Sequence, residues 1–332
     1  MIFFISVLRA LSTVLITNSH YENVYPTNLL SKGGIIGLIM FYVLSGYCLC
    51  NIKYPFSPYG FVKWYGKRVW RIYLPVVIIT TIYFIIGAYN LSKHGLLWWF
   101  VYPTAFHYVA SVMILYIPFF FIIKIQWLNE RIVPVMGVIA VAWLVVYFSV
   151  YDKSYYHIDA VREPMIRFLG FEGLLLGAWF KKNDDKYRDK IKLKYPVVLF
   201  VVSLLYFAIR LALSKWAVLS SFQFISYILI FALVYFLFIT FCGIASILDN
   251  LPDWIKAAIK FFADMTLEIY IVQRVIITFI MNKKFGFPLN WLLLTISIIL
   301  VAYLLHKICF LINKMVDKNM SGHKNNEIED DN

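Results

Sequence analysis

The stretch Ile2-Phe-Phe-Ile-Ser-Val-Leu-Arg9-Ala-Leu-Ser-Thr-Val-Leu-Ile-Thr-Asn-Ser-His20 decides both the fold class and the chemistry. From Ile2 to Ser19 it is apolar enough and long enough to cross about 30 Å of hydrocarbon. One charge, Arg9, stands well inside it. It has no basic leader and no small-residue cleavage site, so it reads as a retained first helix. A charge within a span costs about 2.5–3.5 kcal/mol and marks a functional candidate. His20 follows eleven residues later. At 3.6 residues per turn, that spacing brings the two side chains to within about 20° of one helical face, roughly 16 Å apart along the axis.

Similar apolar runs recur along the chain. They predict spans at 2–19, 33–52, 69–90, 105–124, 132–151, 165–180, 195–213, 222–248, 261–282 and 289–312. The expectation is an all-α integral membrane protein, a bundle of about ten transmembrane helices. Residues 1–314 would form one polytopic domain, and 315–332 a polar, disordered cytoplasmic tail. Composition agrees: 62% of residues are hydrophobic and 15% charged, against about half and a quarter in soluble domains. Trp98, Trp99 and Tyr102 read as an interfacial aromatic belt. No internal repeat is visible.

The net charge of +13 would suggest nucleic acid in a soluble protein. Here Lys and Arg concentrate in 53–71, 124–131, 181–194, 249–260 and the tail. They are sparse in the alternate loops, at Lys32, Lys93, Lys153, Arg162, Lys215, Lys283 and Lys284. The positive-inside rule then predicts both termini in the cytoplasm and excludes a nucleic-acid partner. Cys48, Cys50, Cys242 and Cys309 lie in or beside apolar runs, without metal-ligand spacing. They are expected to be core or lipid-facing thiols, and no metal is expected.

With the N-terminus inside, Arg9 falls in the cytoplasmic half and His20 at the outer edge. A guanidinium can hold an anionic or carbonyl-bearing donor, and an imidazole can take a proton from an incoming hydroxyl. The alternative is structural: Arg9 paired with an acidic residue elsewhere and His20 closing the helix. In the first inner loop, Lys67, Arg68 and Arg71 fall on a shared helical surface, suited to lipid phosphate or to the phosphates of a nucleotide-bearing donor. The Ser45-Gly46 step permits close helix approach, and Ser45 is also a possible nucleophile. Arg167 and Glu172 are expected to pair across helices, with the same question open for Glu268 and Arg274. His94 and His157 read as solvated loop residues and His306 as interfacial.

Taken in order, the motifs resemble the acyltransferase-3 family of membrane acyltransferases that modify bacterial surface carbohydrates. Arg9, ten intervening residues and His20 resemble that family's Arg-X10-His signature. Phe41 to Tyr47 is similar to its FFVLSGY segment, with Tyr42 in place of a Phe. Arg68-Val-Trp-Arg71 with Pro75 resembles its first cytoplasmic loop. His107-Tyr108-Val109, with Tyr116 and Pro118, resembles its fourth-span motif, where Trp usually stands at Tyr108. Leu267-Glu268-Ile-Tyr-Ile-Val-Gln273 resembles a late-span motif ending in His or Gln. Lys32 to Gly37 departs from the family's aromatic and acidic flavour.

The resemblance implies transfer of an acyl group, usually acetyl, from cytoplasmic acyl-CoA to a hydroxyl of a surface polysaccharide or lipid-linked sugar, in the inner or plasma membrane. His20 would carry the chemistry, and Arg9, Arg68, Arg71 and Lys67 would contact the donor. Ser45, Tyr47, His107, Tyr116, Glu268 and Gln273 are further site candidates. Acetyl-CoA would be a substrate, with no tightly bound cofactor. The partners would be acyl-CoA, the sugar acceptor and membrane lipids, and a homodimer is compatible with the pattern. A carrier or flippase for a polar or lipid-linked substrate is the alternative, and a scaffold for an envelope assembly a third.

Overall fold

The computed structural model describes residues 2–92, 95–101, 106–160, 165–281 and 285–329, with side chains to Val316. Lys93, His94, Tyr102, Arg162, Lys283 and Lys284 lie outside the described residues. Among those described, the chain is helical throughout: α1 (Phe3–Ser19), α2 (Gly34–Leu49), α3 (Pro58–Ile85), α4 (His107–Lys124), α5 (Gln126–Glu130), α6 (Ile132–Val150), α7 (Met165–Lys182), α8 (Asp184–Tyr187), α9 (Lys194–Lys215), α10 (Phe224–Gly243), α11 (Ala245–Asp249), α12 (Asp253–Asp264), α13 (Thr266–Met281) and α14 (Leu289–Glu329).

Six of these helices have the length and hydropathy to cross a membrane: α3, α4, α6, α9, α10 and α14 as far as Val316. The helices α1 and α2 are apolar but shorter. The expected spans differ from the helices where the backbone breaks. The run 261–282 is two helices, because the chain turns at Met265 and the Thr266 hydroxyl donates to the Ala263 carbonyl at 2.8 Å. The run 222–248 breaks after Gly243. The basic segment expected as a loop is instead the first half of α3. Pro58 stands at its start, and the Ser57 hydroxyl accepts from the Gly60 N–H at 3.1 Å. A proline in the first turn and a serine cap satisfy donors that a helix start leaves open.

Two apolar clusters organise the bundle. One gathers α1, α2, α4, α7 and α10; the other gathers α3, α13 and α14. Within the first, α2 lies between α1 and α7 at a separation that only glycine allows. A Cβ on Gly46 would come within 1.9 Å of the Leu174 carbonyl oxygen, and one on Gly177 within 1.9 Å of the Val43 oxygen. Small residues at such contacts let dispersion act over the whole helix length. By contrast, α9 turns Phe200, Val201, Leu204, Leu205 and Leu211 outward, a surface suited to lipid.

Polar contacts knit the second cluster together and tie it to α1. The Tyr83 hydroxyl on α3 donates to the Val272 carbonyl at 3.0 Å. Just beyond α1, the Tyr21 hydroxyl lies 3.1 Å from Thr295 on α14. The Thr13 hydroxyl, midway along α1, lies 3.3 Å from that of Thr266. The Thr13 contact holds α13 against α1, the Tyr83 contact holds α3 to α13, and the Tyr21 contact holds the segment after α1 to α14.

Candidate active site

Two cavities open along that face. The first, about 320 Å³, surrounds Arg9 and is walled by α1, α2, α3, α4, α13 and α14. Arg68 and Arg71 reach it from α3, Ser45 from α2, Tyr116 from α4 and Glu268 from α13. The second, about 520 Å³, surrounds His20 and receives His107 and Gln273. Tyr270 lines both cavities. Its hydroxyl accepts from the Tyr108 N–H at 3.3 Å, and the two rings meet edge to face with centroids 5.7 Å apart. An aromatic layer thus lies between the two.

Around Arg9 the charges are incompletely paired. Among the described residues no carboxylate is within ion-pair distance of Arg9. Its guanidinium instead donates to the Cys48 thiol, at 3.6 Å. A thiol is a weak acceptor, so the cation remains available to a ligand. Arg68 lies over the Trp64 ring at 5.8 Å, with its Nε lacking a hydrogen-bond partner among the described residues. Arginine stacked in this way keeps its planar fork presented and its rotamers restricted. Glu268 does not pair with Arg274. It meets His306 on α14, with Nδ1 2.9 Å from Oε1.

Around His20 the pattern differs. Arg210 on α9 pairs with Asp159, both Nε and a terminal nitrogen lying 2.8 Å from the same carboxylate oxygen. Lys32 pairs with Glu22 at 3.2 Å. Among the described residues the His20 ring has no side-chain hydrogen bond, and it is open to the cavity. Desolvation by the surrounding protein, and secondarily the charge of Arg274, lower its pKa below the ordinary histidine value. A neutral imidazole has a free nitrogen lone pair, which is what a general base requires.

Two expected site residues lie outside both cavities. Tyr47 donates to Asp184 at 3.0 Å, accepts from Arg188 at 3.3 Å and packs on Phe4 and Phe238. It ties α2 to the segment after α7. Lys67 points instead over the Tyr54 ring at 5.6 Å.

Other expectations are corrected. His306 is partly buried and meets the buried Glu268. Glu172 is buried without an ion pair among the described residues, and its Oε1 is unpartnered. His157 is stacked between Tyr151 and Tyr155, at 4.8 and 4.1 Å. Cys48 faces a cavity, not core or lipid. Asp159, Arg210, Arg274, Asp264, Tyr270 and His306 line the cavities without having been singled out as site residues. Arg210 and Arg274 were detectable as charges inside spans. Asp159 was not, since nothing in its loop signals its partner 51 residues away.

A helical membrane bundle with two polar cavities on one helix face, one rich in arginine and one presenting a neutral histidine, has the parts of a group-transfer enzyme. The chain belongs to the acyltransferase-3 family: the family model described as an acyltransferase domain matches residues 2–307. It is accordingly a multi-pass membrane acyltransferase. No curated protein and no solved structure matches the chain.

Proposed function

We propose that the protein transfers an acyl group, acetyl in the simplest case, from cytoplasmic acyl-CoA to a hydroxyl of a surface polysaccharide or lipid-linked sugar on the opposite side of a bacterial plasma membrane. The observation that carries this reading is the pair of cavities at Arg9 and His20, meeting at Tyr270.

The cavity at Arg9 is the donor side. Phosphates of CoA would lie against Arg68 and Arg71, which can each form charge-assisted bonds. Lys67 could join them only by leaving Tyr54. The pantetheine arm would pass Arg9 toward Tyr270, a span comparable to the roughly 16 Å between Arg9 and His20. The acceptor enters the other cavity. His20 takes the hydroxyl proton as the sugar oxygen bonds to the thioester carbonyl carbon. The tetrahedral intermediate expels CoA as its thiolate, which takes up the proton delivered from the imidazolium. The Tyr108–Tyr270 layer would keep water from the thioester until the arm displaces it. His107 and Gln273 would line the acceptor, while Ser45 and Tyr116 would line the arm.

The test is CoA release by the purified protein in lipid nanodiscs with acyl-CoA and an acceptor glycan. Acceptor-dependent release that disappears in His20→Ala supports the reading. Acceptor transport without CoA release would establish a carrier instead.

A further inference from the structure

We propose that the cavity at His20 recognises an acceptor bearing an anionic group, carboxylate or phosphate, which Arg274 binds while Gln273 orients the adjoining sugar hydroxyls. This deepens the acyl-transfer reading and rests on it for the acceptor's fate.

The argument starts from charge pairing. Three cations line the cavity: Lys32, Arg210 and Arg274. Glu22 holds the first and Asp159 the second. Arg274 is exposed to the cavity and, among the described residues, has no carboxylate within ion-pair distance. The cavity therefore keeps one uncompensated positive charge. A guanidinium fork matches two oxygens of a carboxylate or phosphate at once.

Gln273 supplies an independent observation. It is 1% exposed, yet its amide nitrogen and oxygen both lack a hydrogen-bond partner among the described residues, and it lines the same cavity. A buried polar group left unsatisfied costs about 1–3 kcal/mol, so this side chain is explained by a ligand that satisfies it. Its N–H donates and its carbonyl accepts, the pair of functions a vicinal diol or an anion beside a hydroxyl requires. At about 520 Å³ the cavity lies within the size range of small-ligand sites. A neutral acceptor would leave Arg274 without an anionic partner in the cavity.

The experiment measures binding without an acyl donor, using the full-length protein in neutral-lipid nanodiscs and calorimetry. Four probes are compared: trigalacturonate, its neutral methyl ester, galactose 1-phosphate and galactose. At least one charged probe is expected to bind about tenfold more tightly than its neutral counterpart. Arg274→Gln should abolish that preference, and Arg274→Lys should retain part of it. Preference confined to trigalacturonate identifies a carboxylate, and preference confined to galactose 1-phosphate a phosphate. Equal binding of charged and neutral probes, no binding of either charged probe, or a preference unchanged in Arg274→Gln overturns the proposal.

Should that variant not fold, salt titration of the wild type decides. Weakening of the charged probes alone supports the site, and no discrimination overturns it. A turnover loss in Arg274→Gln that is equal for charged and neutral acceptors would also overturn it, since that pattern belongs to stabilisation of the reacting carbonyl. A protein that binds charged probes through Arg274 but transfers no acyl group would refute the acyl-transfer reading and leave the anion site standing.

Discussion

The two cavities differ in how their charges are matched. Around Arg9, cations of three residues converge from two helices, and two of them face a weak thiol or an aromatic ring rather than a carboxylate. Around His20, two of three cations are neutralised by carboxylates and the central imidazole is held neutral. The first arrangement suits a polyanion. The second suits proton abstraction from a largely neutral molecule with one charged group. One helix, α1, serves both, so the division of labour follows from the neighbours that α13 and α3 bring to each end.

The sharpest way to break this comparison is to remove the imidazole. His20→Ala should lower acyl transfer by about 10²- to 10⁴-fold, the range of a lost general base, with the KM for acyl-CoA little changed. Initial rates of CoA release at varied donor concentration would read both. A large rise in donor KM would instead merge the two cavities into one site.

Neutralising the other end should give the complementary result. Arg68→Gln and Arg71→Gln should each raise the donor KM by about 10- to 100-fold, the loss of one charge-assisted bond, and leave acceptor KM unchanged. Steady-state kinetics with both substrates varied would check this.

Both cavities depend on α2 staying seated on α7. Gly177→Ala should lower stability by about 1–3 kcal/mol, the cost of overpacking, because its Cβ would meet the Val43 carbonyl. Gly137→Ala on α6, where a Cβ meets nothing within 4 Å, should leave the unfolding temperature in detergent unchanged or slightly raised. Equal effects would mean that the seam does not organise the site.

The smallest effect concerns pH. A histidine with a lowered pKa stays neutral and competent as pH falls, until pH drops below that lowered value. The acid limb of the rate should therefore lie below the ordinary histidine pKa of about 6.5. Arg274→Gln should move the limb upward without restoring the ordinary value, since desolvation is the larger cause and Arg274 the smaller. A pH–rate profile of kcat/KM in both proteins would detect it.

Much of this arrangement was legible in the sequence. Apolar run length gave the helical membrane class, and helical periodicity placed Arg9 and His20 on one face. The Ser45-Gly46 step anticipated a close helix contact, now seen between Gly46 and Leu174. Other features were hidden because they depend on distant partners. Lys67 and Arg68 are adjacent on α3, yet only Arg68 reaches the cavity, a difference of one step around the helix. Tyr47 sits in a site-like motif but on the opposite face of α2 from Ser45 and Cys48, against the Asp184–Arg188 pair. His306 met Glu268 only after α13 and α14 were folded side by side. A buried carboxylate within a span demands a partner, but sequence does not say which.

The lengths of the helices carry one last consequence. At 1.5 Å per residue, α1 with 17 residues and α2 with 16 are about 26 and 24 Å long, less than the roughly 30 Å of a typical hydrocarbon layer. At the rim, α9 with 22 residues reaches about 33 Å. On the outside of the bundle α9 therefore matches a bilayer of normal thickness, while α1 and α2 at its centre fall short of one. The two cavities lie along α1 and share Tyr270, whose ring meets that of Tyr108 edge to face. On the acyl-transfer reading, an acyl group need not cross a lipid bilayer at all; it passes through the protein, past the Tyr108 and Tyr270 rings.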